Sequence, residues 1–110
     1  QPPKPVARVL NAISAAPSID WKVKDLAQIA GVSYSTLRAL FTASQGESLH
    51  SYLLRVRMDH ARRLLSDSRL EIKQVADRLH FSSEFYFSHF FKRFAGISPR
   101  TFREQLKLKK

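Results

Sequence analysis

No cysteine occurs in the 110 residues, which removes disulfide frameworks, thiolate nucleophiles and thiolate metal sites together. Glycine is nearly as scarce, at three positions, and none belongs to a glycine-rich loop of the kind that cradles phosphates. No apolar run approaches the roughly 18 residues of a membrane span, and no signal-peptide pattern is present. His50, His60, His80 and His89 lie nine residues or more apart, so no two take the i, i+4 spacing of a helical metal pair, and there is no His-Glu-x-x-His. Ser88 and His89 are neighbours, but adjacent side chains on a helix diverge. The expectation is a protein that is no enzyme, with no catalytic residue, metal or cofactor, resident in the cytosol.

Acidic residues are also few. Nine stand against 19 Lys and Arg, a formal charge of +10. That imbalance says nothing of fold, but it makes polyanions the expected partners, nucleic acid first and an anionic membrane surface second. The apolar fraction of 44% suffices for a modest core. By length the chain is one domain, or two very small ones sharing a helix. It opens Gln1-Pro2-Pro3-Lys4-Pro5, a proline-rich stretch that reads as an extended linker. A C-terminal piece of a longer protein is expected, although processing or cloning of a small stand-alone protein would leave the same opening.

What the chain does contain is one pattern twice. Leu26-Ala27, Gly31-Val32-Ser33, Leu37, Phe41, Gly46, Ser48 and Tyr52 recur as Val75-Ala76, His80-Phe81-Ser82, Phe87, Phe91, Gly96, Ser98 and Phe102. The offset is 49 residues from Leu26 to Val75 and 50 from Phe41 to Phe91, so the second turn is one residue longer. Helix, short turn and helix with an apolar inner face is the sequence form of a helix-turn-helix pair. Two such pairs in a basic chain point to a reader of double-stranded DNA with two recognition helices.

Apolar spacing and helix stop signals predict an all-α fold of seven helices, since no window alternates long enough for a strand. Val6, Val9, Leu10 and Ile13 mark a helix over 5–16. A second covers 22–30, with Asp20 as its cap and Gly31 as its stop. Ser33 caps a third over 33–45, and Ser48 a long fourth over 48–66. Leu49, Tyr52, Leu53, Val56, His60 and Leu64 form one stripe of the fourth, beside Arg57, Ala61 and Leu65. The last three cover 71–79, 83–95 and 99–107, with Pro99 at a favoured first position. The expected organisation is a linker over 1–5, a first subdomain over 6–47, a connecting helix over 48–66 and a second subdomain over 67–110. That connector would be roughly 28 Å long, against about 34 Å between successive major grooves on one face of B-DNA. Two recognition helices joined covalently would read an asymmetric site, with no palindrome required.

Helical geometry at 100° per residue separates inner from outer faces. Phe87, Phe90, Phe91 and Phe94 share the inner face of the sixth helix, opposite Phe85, Ser88, His89 and Lys92, with Arg93 beside them. In the third helix Leu37, Leu40, Phe41 and Ser44 turn inward. Ser35, Arg38, Ala39 and Thr42 turn outward, and Tyr34 stands at the border. Arg38 suits guanine O6 and N7, while Ala39 and Thr42 offer methyl groups to thymine. Ser88 and His89 can donate to or accept from a base edge. Phe85 is open between a packing staple and a contact to a thymine methyl. Lys92 and Arg93 are better placed for phosphate. The helix starts at Ser33, Ser82-Ser83 and Ser98 offer backbone N–H groups to phosphates, and Arg100, Arg103, Lys107, Lys109 and Lys110 form a basic tail. Arg55, Arg57, Arg62 and Arg63 read as a solvated or ion-paired face, with Arg57 tying the long helix to a neighbour.

The run from Phe81 to Arg103 resembles the signature of the AraC/XylS transcription regulators, in Tyr86-Phe87-Ser88, Phe91-Lys92, Gly96-Ile97-Ser98-Pro99 and Phe102-Arg103. The first half matches in Leu26-Ala27, Ser33, Leu37, Phe41, Gly46, Tyr52-Leu53, Arg57, Ala61 and Leu64-Leu65, so the resemblance covers about residues 6–107. It implies two helix-turn-helix subdomains joined by a long helix, promoter DNA as ligand, contact with RNA polymerase, usually as an activator, and residence with the nucleoid. An N-terminal effector-binding or dimerisation domain commonly accompanies the family. Its base-reading positions fall on Ser35, Arg38, Ala39 and Thr42, and on Glu84, Phe85, Ser88, His89 and Lys92. Two residues depart from the pattern. His80 replaces a glycine suited to a left-handed turn, and His89 replaces an arginine with a shorter donor of a type that titrates near neutrality. The rival is a protein-interaction or membrane-surface domain. It would need one amphipathic helix flanked by lysines, whereas the charge here is spread over several helices.

Overall fold

A computed structural model describes residues 1–17 and 19–108. It contains seven α-helices: α1 Lys4–Ala15, α2 Val23–Ala30, α3 Tyr34–Gln45, α4 Leu49–Leu65, α5 Ile72–Arg78, α6 Glu84–Ala95 and α7 Pro99–Leu108. There is no strand among the described residues. The chain divides into two compact units, Gln1–Val56 and Arg57–Lys110, so the boundary falls inside α4.

In the first unit Val6, Val9 and Ile13 of α1, Leu26 and Ala30 of α2, Leu37 and Phe41 of α3, and Leu49 of α4 form the buried core. Tyr52, Leu53 and Val56 pack against it, and the Tyr52 ring meets Phe41 edge-on at 5.3 Å. The opening is less of a linker than its prolines suggest. Lys4 and Pro5 already belong to α1, with Pro3 as its N-cap, because proline in a first turn gives up an N–H that has no helical partner anyway. Asp20 does not cap α2: the N-cap is Lys22, whose Nζ sits 3.2 Å from Asp20 Oδ2. Gly31 stops α2 in the left-handed region, at φ 77°, and Ser33 caps α3 by accepting from Thr36 N–H.

In the second unit Met58, Ala61 and Leu65 of α4, Val75 and Ala76 of α5, Leu79, and Phe87 and Phe91 of α6 are all fully buried. Met58 is absent from both stripes expected for the long helix. Each half of α4 serves its own unit, so a single stripe along it does not describe the buried set. His60 and Leu64, on the expected stripe, are only half-buried. The inner face of α6 is also narrower than its phenylalanines suggest. Phe87 and Phe91 fill the core, Phe94 is half-buried, and Phe90 is 37% exposed. Ser44 of α3, expected inward, is exposed and turns its hydroxyl back to Phe41 O.

The structural repeat is larger than the sequence repeat, which starts at Leu26: α1 precedes α2 as the second part of α4 precedes α5. Within it the edge-on pair Phe41–Tyr52 returns as Phe91–Phe102, with centroids 5.3 and 5.5 Å apart. Each unit is therefore four helical segments: α1, α2, α3 and the first part of α4, then the rest of α4, α5, α6 and α7. α4 closes one unit and opens the next.

Candidate nucleic-acid interface

α3 and α6 are the second helices of the two helix-turn-helix pairs, and capping sets where each begins. Ser33 Oγ accepts from Thr36 N–H at 3.2 Å and Ser83 Oγ from Tyr86 N–H at 3.1 Å. Each satisfies one of the donors that a helix N-terminus leaves without an internal partner. The extra residue in the second turn makes Ser83, not Ser82, the counterpart of Ser33. Ser98 caps α7 in the same way, accepting from Thr101 N–H.

The outer face of α3 is as expected. Ser35, Arg38, Ala39 and Thr42 are exposed, and with Tyr34 they line one open surface concavity. Arg38 makes no hydrogen bond or ion pair among the described residues, so none of its five donors is engaged there. Tyr34, which helical spacing leaves at the border, is 41% exposed and belongs to this surface.

On α6, Glu84, Phe85, His89, Lys92 and Arg93 are exposed, and Ser88 is half-buried beside them. Phe85 is 75% exposed and is no packing staple; its one ring neighbour among the described residues is Tyr86, itself 52% exposed. His89 stands edge-on to Phe90 at 5.6 Å. Ser82 and Arg100 are exposed, whereas Ser83 and Ser98 are half-buried by their capping.

Arg103 departs from its expected place in a basic tail. Its Nε donates to Leu65 O at 3.0 Å and its Nη2 to Asp67 O at 3.4 Å. The guanidinium thus closes the C-terminal end of α4, where carbonyls lack helical partners. Lys107 lies on the described part of the tail and is exposed; Lys109 and Lys110 lie outside the described residues. The helix-4 arginines are engaged as expected. Arg55 meets Glu47 at 2.6 Å, Arg62 meets Asp59 at 3.0 Å and lies over the Phe94 ring, and Arg63 contacts His60 Nδ1.

Two arginines carry a role that the repeat could have shown. Arg8 Nη1 donates to Ala30 O at 3.3 Å, and Arg57 Nη2 donates to Leu79 O at 2.6 Å. Each carbonyl directly precedes the left-handed turn residue, Gly31 or His80. All three pairs of positions are 49 residues apart, the offset already visible from Leu26 to Val75. No helix among the described residues is long and apolar enough to cross a membrane, and no group of three or more His, Asp or Glu there could hold a metal ion.

Comparison with known proteins agrees with this architecture. A family model described as a helix-turn-helix domain matches residues 26–105. A putative AraC-like transcription regulator of Streptomyces lividans is 36% identical over 90% of this chain. The HTH-type transcriptional regulator AlkR of Acinetobacter baylyi is 37% identical over 91%. The chain spans about a third of the length of each of these curated relatives. Among solved structures, the DNA-binding domain of the global transcriptional factor AdpA, in complex with a target DNA, superposes with a TM-score of 0.88 at 27% identity, covering 98% of this chain and 97% of that one. The fold and its paired helices define a DNA-binding domain of a transcription regulator, not an enzyme. The chain belongs to the AraC-type helix-turn-helix family.

Proposed function

We propose that this domain binds promoter DNA sequence-specifically, with α3 and α6 entering successive major grooves of an asymmetric site. The observation that carries this reading is the outer face of α3, where Arg38 is exposed among hydroxyl and methyl groups and has no partner among the described residues. A side chain that offers five donors and is bound by nothing among the described residues is suited to a bidentate contact with guanine. On α6, Phe85, Ser88 and His89 read base edges and Glu84 stands beside them, while Lys92 and Arg93 hold phosphate. The N-termini at Ser33, Ser82, Ser83 and Ser98 fix the register through backbone N–H groups, with Arg100 adding charge.

Charge divides unevenly between the units. Gln1–Val56 holds six Lys and Arg against three acidic residues, and Arg57–Lys110 holds thirteen against six. The second unit therefore supplies most of the electrostatic affinity. In the whole protein the domain would follow an effector-binding or dimerisation domain and contact RNA polymerase as an activator. The AdpA complex with its target DNA supports the choice of ligand by similarity.

The test is selection of bound sequences from a random duplex library at moderate salt. Two short blocks about one helical turn apart, unrelated by a palindrome, are the expected result. A single block would remove base reading from one recognition helix, and no enrichment would overturn the function.

A further inference from the structure

We propose that Arg57 is the positioning residue of recognition helix α6, holding the turn before it in a left-handed conformation that its own residue does not favour. His80 has φ 64° and is the one non-glycine residue at positive φ among those described. A side chain there brings Cβ against backbone, a cost that glycine avoids. The first unit has Gly31 at the same place and only a 3.3 Å contact from Arg8 to the preceding carbonyl. In the second unit the arginine is held much more closely. Its Nη2 lies 2.6 Å from Leu79 O, and its guanidinium carbon stands 4.2 Å from the centre of the Phe81 ring. His80 is thus bracketed, with the carbonyl before it and the ring after it gripped by one planar cation.

The Phe81 ring continues into α6. It packs on Phe87 at 5.4 Å and on Phe90 at 6.1 Å, so the guanidinium, the turn and the first two turns of α6 form one stack. The stronger contact occurs in the unit whose turn needs it. The proposal rests on the reading of α6 as a recognition helix only for its consequence on DNA; the positioning itself is a property of the free protein.

The test compares amide hydrogen exchange and DNA discrimination in Arg57→Lys, His80→Gly, the double variant and Phe81→Leu. Lysine keeps the charge and loses the planar stack. Exchange at the amides of His80, Phe81, Tyr86 and Phe87 is expected to rise about tenfold in Arg57→Lys, with Gly31, Val32 and Leu37 of the first unit unmoved. His80→Gly in the same background should return most of that protection, since the double-variant cycle reports the coupling. Phe81→Leu, which keeps the hydrogen bond, should give a smaller rise at the same four amides. Discrimination against a duplex scrambled in the α6 block should fall in Arg57→Lys and recover in the double variant. Unchanged exchange in Arg57→Lys, or no rescue by glycine, would overturn the proposal. Rescued exchange in a chain that never discriminates the α6 block would uphold the positioning role and refute base reading by α6.

Discussion

Phe91 meets Phe102 edge-on with ring centroids 5.5 Å apart and an interplanar angle of 72°. The contact joins the fully buried centre of α6 to α7, as Phe41 and Tyr52 join α3 to α4. Aromatic pairs of this geometry add to the burial of the rings themselves. Phe91→Ala is expected to destabilise the second unit by about 3–5 kcal/mol, because neighbours close only part of the cavity left by a buried phenylalanine. Urea unfolding followed by a probe in each unit checks this. The cost should appear in the second unit, with Trp21 fluorescence reporting the first.

Arg103 and Arg100 lie three residues apart on α7 and should behave differently. Arg100 is exposed and has no partner among the described residues, while Arg103 donates to Leu65 O and Asp67 O. Arg100→Gln is expected to reduce the slope of log K against log salt by about 0.9, the loss of one phosphate contact, with no change in stability. Arg103→Gln should leave that slope alone and lower the unfolding midpoint. Equal loss of slope in both would return Arg103 to the phosphate set.

Much of this was legible in the sequence because helix boundaries are chemical. Serine at an N-cap and glycine at a C-cap act locally, and Ser33, Ser48, Ser83, Ser98, Gly31, Gly46 and Gly96 mark ends that the structure reproduces. The outer faces of α3 and α6 follow from 100° periodicity once the inner phenylalanines are known. Long-range partners were legible only in outline: Arg57 was expected to tie α4 to a neighbour and does so, but nothing named Leu79 as that neighbour. Nothing near Arg103 in the chain says that its partners are 36 and 38 residues away, so its charge alone placed it in the tail. Met58 was missed because α4 serves two cores. The Arg8 and Arg57 contacts were within reach, since both obey the 49-residue offset, but polar residues outside the apolar pattern do not show a repeat on their own.

Arg38 and Lys92 offer a second pair of contrasting roles. Arg38→Ala is expected to relax the preference at one base position and cost roughly 1–3 kcal/mol on the selected sequence. Lys92→Ala should weaken binding on all sequences alike and flatten the salt dependence. Binding titrations on the selected duplex and on single-position variants separate the two; parallel loss of discrimination in both would dissolve the distinction.

The stability of the domain should fall with acid in two stages. His60 is held below its ordinary value by burial and by the neighbouring Arg63 charge. The unfolded chain then takes up the proton first, so this contribution is complete above the unfolded value near 6.5 and is lost as pH falls through the folded one. Glu47 is held below the usual carboxylate range by its hydrogen bond from Arg55. Its contribution is present above the unfolded value and disappears at lower pH still. Thermal midpoints between pH 7.5 and pH 3 should show both declines in the parent protein. His60→Gln should remove the upper one and Glu47→Gln should diminish the lower.

Phe85 is three-quarters exposed at the start of α6, and an apolar ring left outside a core calls for an apolar partner on the ligand. The major groove offers one such group, the C5 methyl of thymine. Replacing thymine with deoxyuracil at each position of the α6 block removes only that methyl. At one position the substitution is expected to weaken binding by about 0.8 kcal/mol, the value of one buried methyl-sized group, or about fourfold. In Phe85→Ala the same substitution should have no effect, and 5-methylcytosine should outbind cytosine at that position for the parent protein alone. If deoxyuracil is neutral at every position while the block is still discriminated, the ring is not reading methyl groups, and Ser88 and His89 carry the recognition.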